Sequence, residues 1–217
     1  MERIKITEQI SYCPATEEPL SADVGFIRCG EEWWIYDVGS STEAAAAING
    51  LQGRKNIVLS HFHPDHTGNI ANLEYDTLYA GAYTCRSLKR GTAVEGHIYF
   101  EGGVHLFPLP SSHAKGCVGL EMGEYAFLGD GTYCTVKDGQ VVHNAGLLRE
   151  LILTLEALRA RFVLQSHGNP FLCPKEEVLS SLREIYARRD RGNPYIQLES
   201  TKPKDPYSFL ATAFSGS

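Results

Sequence analysis

The densest group of reactive side chains lies in the segment SHFHPDHTGN. Within six residues this segment spells H-x-H-x-D-H, with ligand-type side chains at His61, His63, Asp65 and His66. Imidazoles with a carboxylate suit zinc, iron or manganese better than calcium or magnesium, which prefer mostly oxygen ligands. Pro64 excludes a helix interior, and the preceding Ile57-Val58-Leu59 predicts a buried strand. A strand that ends in this loop directs the four side chains to one point. A polar surface loop is the alternative, which the multi-ligand motif disfavours.

Three later residues extend this candidate metal site. They are His113 in PSSHAKGCVGL, Asp130 in YAFLGDGTY and His167 in FVLQSHGNP. Each lies at or just after a short apolar stretch and is followed by small residues. Taken singly, such a residue is more often a surface or capping group than a ligand. Together with the first motif they complete a set of seven ligands, which is the number that two adjacent metal ions need.

The order of these motifs resembles the metallo-β-lactamase-fold hydrolase superfamily over nearly the whole chain. The family's early Asp-x-Gly motif corresponds to Asp37 in WWIYDVGS, followed by the cluster at 61–66, His113, Asp130 and His167. By that resemblance His61, His63 and His113 hold one metal, and Asp65, His66 and His167 hold the second. Asp130 would bridge the two metals, Asp65 would orient the nucleophile, and Asp37 would organise the metal loop without binding metal. The implied cofactors are two divalent transition-metal ions, with zinc favoured over iron or manganese.

One motif departs from the family pattern. The third motif usually reads His-Thr-Pro-Gly, and this chain has His113-Ala114-Lys115-Gly116. The His and the Gly are kept, so we expect the metal site to be intact. Lys115 either contacts an anionic substrate or is simply solvated, and the sequence assigns no substrate contact.

Composition limits the classes of function. The chain has 217 residues, of which 43% are hydrophobic, enough for one well-buried domain. A net charge of −6 argues against a nucleic-acid partner, and no stretch is apolar enough to predict a membrane span or a secretory signal. We therefore expect a cytoplasmic protein that acts on a small molecule, with its oligomeric state open. The six cysteines, which have no C-x-x-C spacing, are read as small buried hydrophobes of a reducing compartment: 13, 29, 85, 117, 134 and 173.

The secondary-structure pattern predicts two sheets with helices outside. A hairpin is expected from Val24–Ile27 and Trp33–Tyr36, and a helix from a capping box at Ser40 and Glu43 to Gly50. Leucines from Leu147 to Leu158 predict a core-facing helix, and Pro174 opens a last one. The family's single-domain, four-layer αββα sandwich, an α+β arrangement with the metals at one edge between the sheets, accounts for this order. The domain is expected over residues 1–193, with a docked or flexible tail at 194–217.

Hydrolysis is the reaction that this ligand set predicts. Two cations that share a water can lower its pKa to near 7, giving a metal-bridging hydroxide that cleaves an ester, thioester, lactone, amide or phosphodiester. The ligand spacings of 47, 17 and 37 residues resemble the compact, glyoxalase II-like branch and leave no room for the nuclease branch's insertion. Flavodiiron proteins are disfavoured, since they carry Glu at the position of His63. Two alternatives remain: an iron-dependent persulfide dioxygenase and a non-catalytic metal-binding domain.

Three of the eight histidines lie outside the predicted ligand set: His97, His105 and His143. His97 and His105 fall in the hairpin region, and we expect them to be half-exposed and without a chemical role. His143 precedes the leucine-rich helix, from which it could reach the mouth of the site.

Overall fold

A large mixed sheet forms the first half of the fold in the computed structural model, which describes residues 3–198. Its seven strands, in spatial order, are β1 (Ile4–Lys5), β2 (Ile10–Cys13), β5 (Val24–Cys29), β6 (Glu32–Tyr36), β7 (Lys55–Leu59), β8 (Thr77–Ala80) and β9 (Thr92–Ala93). The first four are antiparallel, and β6 to β9 run parallel. A small hairpin of β3 (Thr16–Glu17) and β4 (Leu20–Ser21) interrupts the β2–β5 connection.

A second mixed sheet forms the other half. Its six strands are β10 (Ile98–Tyr99), β11 (Val104–Leu109), β12 (Cys117–Met122), β13 (Tyr125–Gly129), β16 (Phe162–Gln165) and β17 (Leu172–Pro174). Strands β10 to β13 are antiparallel, whereas β13 and β16 are parallel. Strands β11, β13 and β16 therefore all end at the same edge of this sheet.

The remaining elements between residues 3 and 198 are five α-helices, one 3-10 helix and a small sheet. The helices are α1 (Thr42–Asn49), α2 (Pro64–Thr67), α3 (Ala82–Leu88), α4 (Ala145–Ala157) and α5 (Lys175–Ala187), and the 3-10 helix is Gly68–Asn72. The small antiparallel sheet contains β14 (Thr135–Lys137), β15 (Gln140–Asn144) and β18 (Tyr195–Gln197). Within residues 3–198, none of the helices combines the length and apolar character that a membrane span requires.

Three apolar layers hold the sheets and helices together. Side chains alternate along each strand: Ile57 and Leu59 of β7 pack with α1, while Val58 between them faces the second sheet. On β13, Phe127 faces the first sheet and Leu128 packs under α4 and α5. This alternation on both sheets, with helices outside, is the four-layer αββα sandwich, and the predicted fold is confirmed.

Local details differ from the sequence-based expectations. The side chain that caps α1 belongs to Ser41, which accepts a hydrogen bond from Ala44 N, and not to Ser40, whose hydroxyl donates to Leu20 O. Leu147 is 40% exposed, so the helix buries Leu148 and Leu151 but not Leu147. Residues Tyr195–Gln197 of the predicted tail pair with β15, and residues 199–217 lie outside the described part of the chain.

Candidate metal centre

The predicted ligands lie at the carboxyl ends of strands from both sheets. His61 follows β7, His113 follows β11, Asp130 follows β13 and His167 follows β16. The two sheet edges face each other, so these loops converge. Asp65 and His66 lie on α2, a single helical turn that Pro64 begins at its first position, where the missing N–H is not needed.

The first group comprises His61, His63 and His113. His63 Nδ1 lies 2.9 Å from His61 Nε2 and 3.1 Å from His113 Nε2. In two of these rings the second nitrogen contacts a group outside the set. His61 Nδ1 lies 2.9 Å from Ser60 Oγ, and His113 Nδ1 lies 3.3 Å from the Cys134 carbonyl oxygen. Three ring nitrogens that point at one another, with their rings fixed from outside, form a donor set for a transition metal.

The second group comprises Asp65, His66, Asp130 and His167. Asp65 Oδ2 lies 3.0 Å from His167 Nε2 and 3.5 Å from His66 Nε2. Asp130 Oδ2 lies 3.3 Å from His66 Nε2, 3.3 Å from His113 Nε2 and 4.0 Å from His61 Nε2. Asp130 therefore contacts both groups, as the family resemblance implies for a bridging carboxylate. In each group the candidate ligand atoms lie within 4.8 Å of one another.

Three buried polar atoms at the centre of the site test whether a metal fits. Among residues 3–198, His66 Nε2 and both carboxylate oxygens of Asp130 are buried without a hydrogen-bond partner, because the 3.3 Å approach between them lacks hydrogen-bond geometry. Buried polar groups without partners are rare in folded proteins, since each costs its full desolvation penalty. These atoms belong to the side chains that the sequence predicts as ligands, and metal ions would satisfy them. The residues present therefore fit bound metal ions.

Burial and neighbouring charges set the protonation of the site. Burial lowers the pKa of His61, reinforced by His66, and burial with the nearby His113 lowers the pKa of His63. Both rings are therefore neutral at pH 7, which is the form that binds metal. Burial alone would raise the pKa of Asp65, but the hydrogen bond from His167 and the charge of His66 lower it, so the carboxylate is ionised.

His66 and Asp130 form a coupled buried pair. Burial opposes the charged form of both groups, yet their mutual attraction outweighs it. Asp130 and Asp37 hold the pKa of His66 well above its usual value, and His66 holds the pKa of Asp130 well below. Metal binding at His66 requires a neutral imidazole, so protons compete with the metal and its affinity falls as the pH is lowered.

Asp37 holds the loop of residues 60–66 through contacts with Ser60 and His66. Its carboxylate accepts hydrogen bonds from Ser60 N at 2.7 Å and Ser60 Oγ at 2.8 Å, and it lies 2.7 Å from His66 Nδ1. With the Nδ1 proton on that side, His66 presents Nε2 to the site. Asp37 adopts φ 59°, an unfavourable region for a non-glycine residue that is concentrated at functional sites. Gly129, at φ 54°, is needed here because a Cβ would lie 2.6 Å from the Cβ of Ser60.

Asp23 supports the other side of the centre, and sequence reasoning missed it. Its carboxylate accepts hydrogen bonds from His167 N at 2.9 Å and from Ser166 Oγ at 3.3 Å. It thereby holds His167 at φ 58°, in the left-handed region. Asp23 precedes His167 by 144 positions, and no local motif marks it. The one sequence signal is that a polar residue, Ser166, directly precedes the predicted ligand His167.

The three histidines outside the ligand set lie away from the centre. His105 is buried, contrary to the expectation of a half-exposed ring. It lies 3.0 Å from Glu121 Oε2 and 2.8 Å from the exposed His97, and it stacks on Tyr99. His143 is also buried, and burial lowers its pKa to about 4. None of the three belongs to the two groups of described residues that could hold a metal.

The cysteines near the centre are protonated at neutral pH. Burial raises the pKa of Cys117 to about 12 and that of Cys134 to about 11. A thiol with so high a pKa is neither a nucleophile nor a free thiolate ligand near pH 7. Their burial agrees with the interpretation of these residues as small hydrophobes.

The substitution Asp37→Asn tests the supporting network. An amide can accept from Ser60 N but cannot also accept from both Ser60 Oγ and His66 Nδ1, so the orientation of His66 is lost. We expect metal affinity to fall by about 10- to 100-fold, measured by competition with a chromophoric chelator. Asn tolerates positive φ, so the fold is kept. Asp76→Asn is the matched control, since Asp76 accepts from Lys55 N at the opposite end of β7 at 2.8 Å. Equal affinities for the two variants would contradict this role.

A family model matches part of the sequence, and solved structures share the fold. The sequence model of the metallo-beta-lactamase superfamily matches residues 18–80, which contain Asp37 and the H-x-H-x-D-H motif. No curated protein matches the chain. The DIM-1 metallo-beta-lactamase has a TM-score of 0.66 at 17% identity, over 86% of this chain and 96% of that chain. The Rm3 metallo-beta-lactamase has 0.67 at 15%, over 87% and 93%. A peroxy diiron species of the chemotaxis sensor ODP has 0.63 at 14%, over 86% and 94%.

The resemblance to the metallo-β-lactamase superfamily is confirmed, and the chain has that superfamily's fold. The structural likeness, at 14–17% identity in these three proteins, establishes the fold alone. Because lactamases and a diiron sensor share it, the fold does not select the reaction. The glyoxalase II-like branch stays a prediction, as does metal binding by the seven residues.

Proposed function

We propose that the protein is a metal-dependent hydrolase that cleaves an ester, thioester, lactone or related bond of a small molecule. The observation that carries this proposal is the set of buried atoms without partners, His66 Nε2 and both oxygens of Asp130, at the centre of seven converging side chains. The neutral imidazoles of His61 and His63 and the ionised carboxylate of Asp65 are the ligand forms that transition metals require.

Each residue has a role in this proposal. His61, His63 and His113 would hold one ion, Asp65, His66 and His167 the other, and Asp130 would contact both. Two zinc ions bound there would polarise the scissile bond and lower the pKa of a shared water to about 7. Asp65 Oδ2, ionised and 3.0 Å from His167 Nε2, would accept a hydrogen bond from the attacking water and orient it.

Iron-dependent oxygen chemistry is the second candidate, because the diiron sensor has the same fold. The corresponding activity for this chain is a persulfide dioxygenase, with one iron held by two histidines and one aspartate. We favour hydrolysis because the residues offer sites for two ions and not for one. The three imidazoles of the first group are separate from the second group, and Asp130 contacts both. For the compartment we propose the cytoplasm, in keeping with six cysteines that form no disulfide.

The test is an activity screen with metal-free and metal-restored protein. Esters, thioesters and lactones, each as a neutral and an anionic member, and phosphodiesters, which are anionic, are offered to protein loaded with zinc or with iron. We expect zinc to restore hydrolysis of at least one bond type, and the Asp65→Asn protein to be inactive on that substrate, which excludes a contaminating enzyme. Protein that carries two zinc ions and hydrolyses none would contradict the proposal. Oxygen consumption with the iron-loaded form alone would favour the dioxygenase.

A further inference from the structure

A cavity of about 430 Å³ opens beside the first group of ligands. His113 forms part of its wall, and Phe62, which lies between His61 and His63 in sequence, forms another part. A molecule in this cavity would therefore lie directly against the side of the centre formed by His63 and His113. The rest of the wall comes from α3, from the loop after His113 and from the small sheet of β14, β15 and β18.

The charged side chains of this wall are all cationic. Lys115 and Lys137 line the cavity, and none of the Asp or Glu residues between 3 and 198 does, although the chain has 26 acidic and only 20 basic residues. Within residues 3–198 neither lysine forms an ion pair, and both are exposed. Lys137 Nζ lies 3.7 Å from the centre of the Tyr195 ring, a cation–π contact that holds it at the wall. An anion that enters here meets two ammonium groups without competing carboxylates.

Close backbone packing fixes the two segments that carry these lysines. A Cβ on Gly81 would lie 1.9 Å from the carbonyl oxygen of Gly116, so only glycine allows the start of α3 to pack on the loop that carries Lys115. Lys137 ends β14, opposite Gln140 across the two-residue turn Asp138-Gly139, in which both φ angles are positive. Such turns match the twist of a hairpin and fix its register. The cationic wall is therefore built on defined backbone.

The same wall exposes an unusual amount of apolar surface. Of the seven large hydrophobic residues exposed within residues 3–198, three line this cavity: Tyr83 at 39%, Val136 at 53% and Leu147 at 40%. Phe62 packs on Tyr83 with ring centres 4.8 Å apart and on His63 at 4.7 Å. A continuous apolar surface thus leads from the cavity to the candidate ligands. Exposed apolar clusters of this kind mark binding sites.

The opposite side of the centre is different in charge. A second cavity, of about 520 Å³, is lined by His167 and by the buried carboxyl of Asp23, and no lysine or arginine of the described part of the chain lines it. An anionic group is therefore accommodated beside His113 and not beside His167. This asymmetry orients a substrate across the centre.

We propose that the cavity beside His113 is the specificity site for an amphipathic anion: a carboxylate attached to an aryl or branched alkyl group. The carboxylate pairs with Lys115 and Lys137, and the apolar group packs on Phe62, Tyr83 and Leu147. One consequence of this inference is that the hydrolase prefers anionic over neutral substrates, and that consequence rests on the proposed function. The binding itself is tested independently of any reaction.

Calorimetric titration with 3-phenylpropionate and its neutral amide tests the binding. The protein as purified is compared with the double variant Lys115→Met/Lys137→Met, which removes both charges and keeps the apolar stems. We expect the acid to bind at least 10-fold more tightly than the amide, and the double variant to lose that preference. Lys5→Met, an exposed lysine of β1, is the control and should retain it. A preference unchanged in the double variant, or no binding of either probe at millimolar concentration, would overturn the proposal.

Kinetics separate this inference from the proposed function. For a hydrolysed ester offered as an anionic and a neutral member, the double variant should raise KM for the anionic member about 10-fold and leave kcat/KM of the neutral member within about 3-fold. If no ester is hydrolysed but the titration shows the lysine-dependent preference, the binding site stands and the hydrolase proposal fails. If hydrolysis occurs with no anion preference, the hydrolase stands and the specificity site fails.

Discussion

The substitution Asp65→Asn is expected to lower kcat/KM by about 10²- to 10⁴-fold, the range that a positioned proton-accepting side chain contributes. Asp65 is 8% exposed, and its Oδ2 lies 3.0 Å from His167 Nε2 and 3.5 Å from His66 Nε2. The hydrogen bond from His167 and the charge of His66 overcome the effect of burial and lower its pKa, so it accepts hydrogen bonds at neutral pH. Asn has the same shape but carries no charge and places a donor where an acceptor is required.

The expected loss is in kcat rather than in folding. Thermal unfolding should show a folded Asp65→Asn protein, and elemental analysis should show that much of its metal is kept. His97→Ala serves as the control, because His97 is exposed and contacts His105 away from the centre, and its activity should stay within a few-fold of the parent. A fully active Asp65→Asn protein would show that this carboxylate does not orient the attacking water. An inactive His97→Ala protein with its metal intact would show that the division of the histidines into metal ligands and other residues is wrong.

Metal removal is expected to produce the largest change in stability. The metal-free centre leaves His66 Nε2 and both oxygens of Asp130 buried without hydrogen-bond partners, and ions bound only by the folded state stabilise it by mass action. At a free metal concentration of 100 to 1,000 times Kd this amounts to about 3–4 kcal/mol. For a domain of this size that free energy corresponds to a fall in Tm of about 10 °C when metal is stripped.

A matched variant connects that change in Tm to the centre. Asp130 contacts both groups of ligands, so Asp130→Asn should lose most of the metal, and chelator should then leave its Tm unchanged. Asp138→Asn, on the exposed β14–β15 turn, should respond to chelator as the parent protein does. A parent protein whose Tm is indifferent to chelation would contradict the assignment of the centre, as would an Asp130→Asn protein that still responds fully.

The seven side chains that the sequence predicts as ligands converge in the structure, and their pattern is visible because it is local. Four of the seven side chains lie within six residues, and His113, Asp130 and His167 each follow an apolar strand whose end is visible in the pattern. The alternating runs of β5 and β6 and the continuous apolar runs of β7 and β13 likewise predict strands, and together with the helices they predict the αββα layers.

The parts that sequence did not predict depend on contacts between distant segments. Asp23 holds His167 across 144 positions, and β18 joins β15 across about 50, so neither has a local signal. His105 looked like a half-exposed hairpin residue, but packing against Tyr99 and pairing with Glu121 bury it. Lys137 lines the same cavity as Lys115 although 22 positions separate them, because the hairpin of β14 and β15 forms part of that cavity's wall.

The metal content of the protein purified without chelator tests the central claim most directly. Elemental analysis by inductively coupled plasma mass spectrometry, with protein quantified by amino-acid analysis, gives the number of ions per chain. Seven converging ligands in two groups predict close to two transition-metal ions per chain, mainly zinc. One iron without zinc would contradict the dinuclear hydrolase and favour the dioxygenase, and a chain that neither carries nor takes up metal would contradict the candidate metal centre itself.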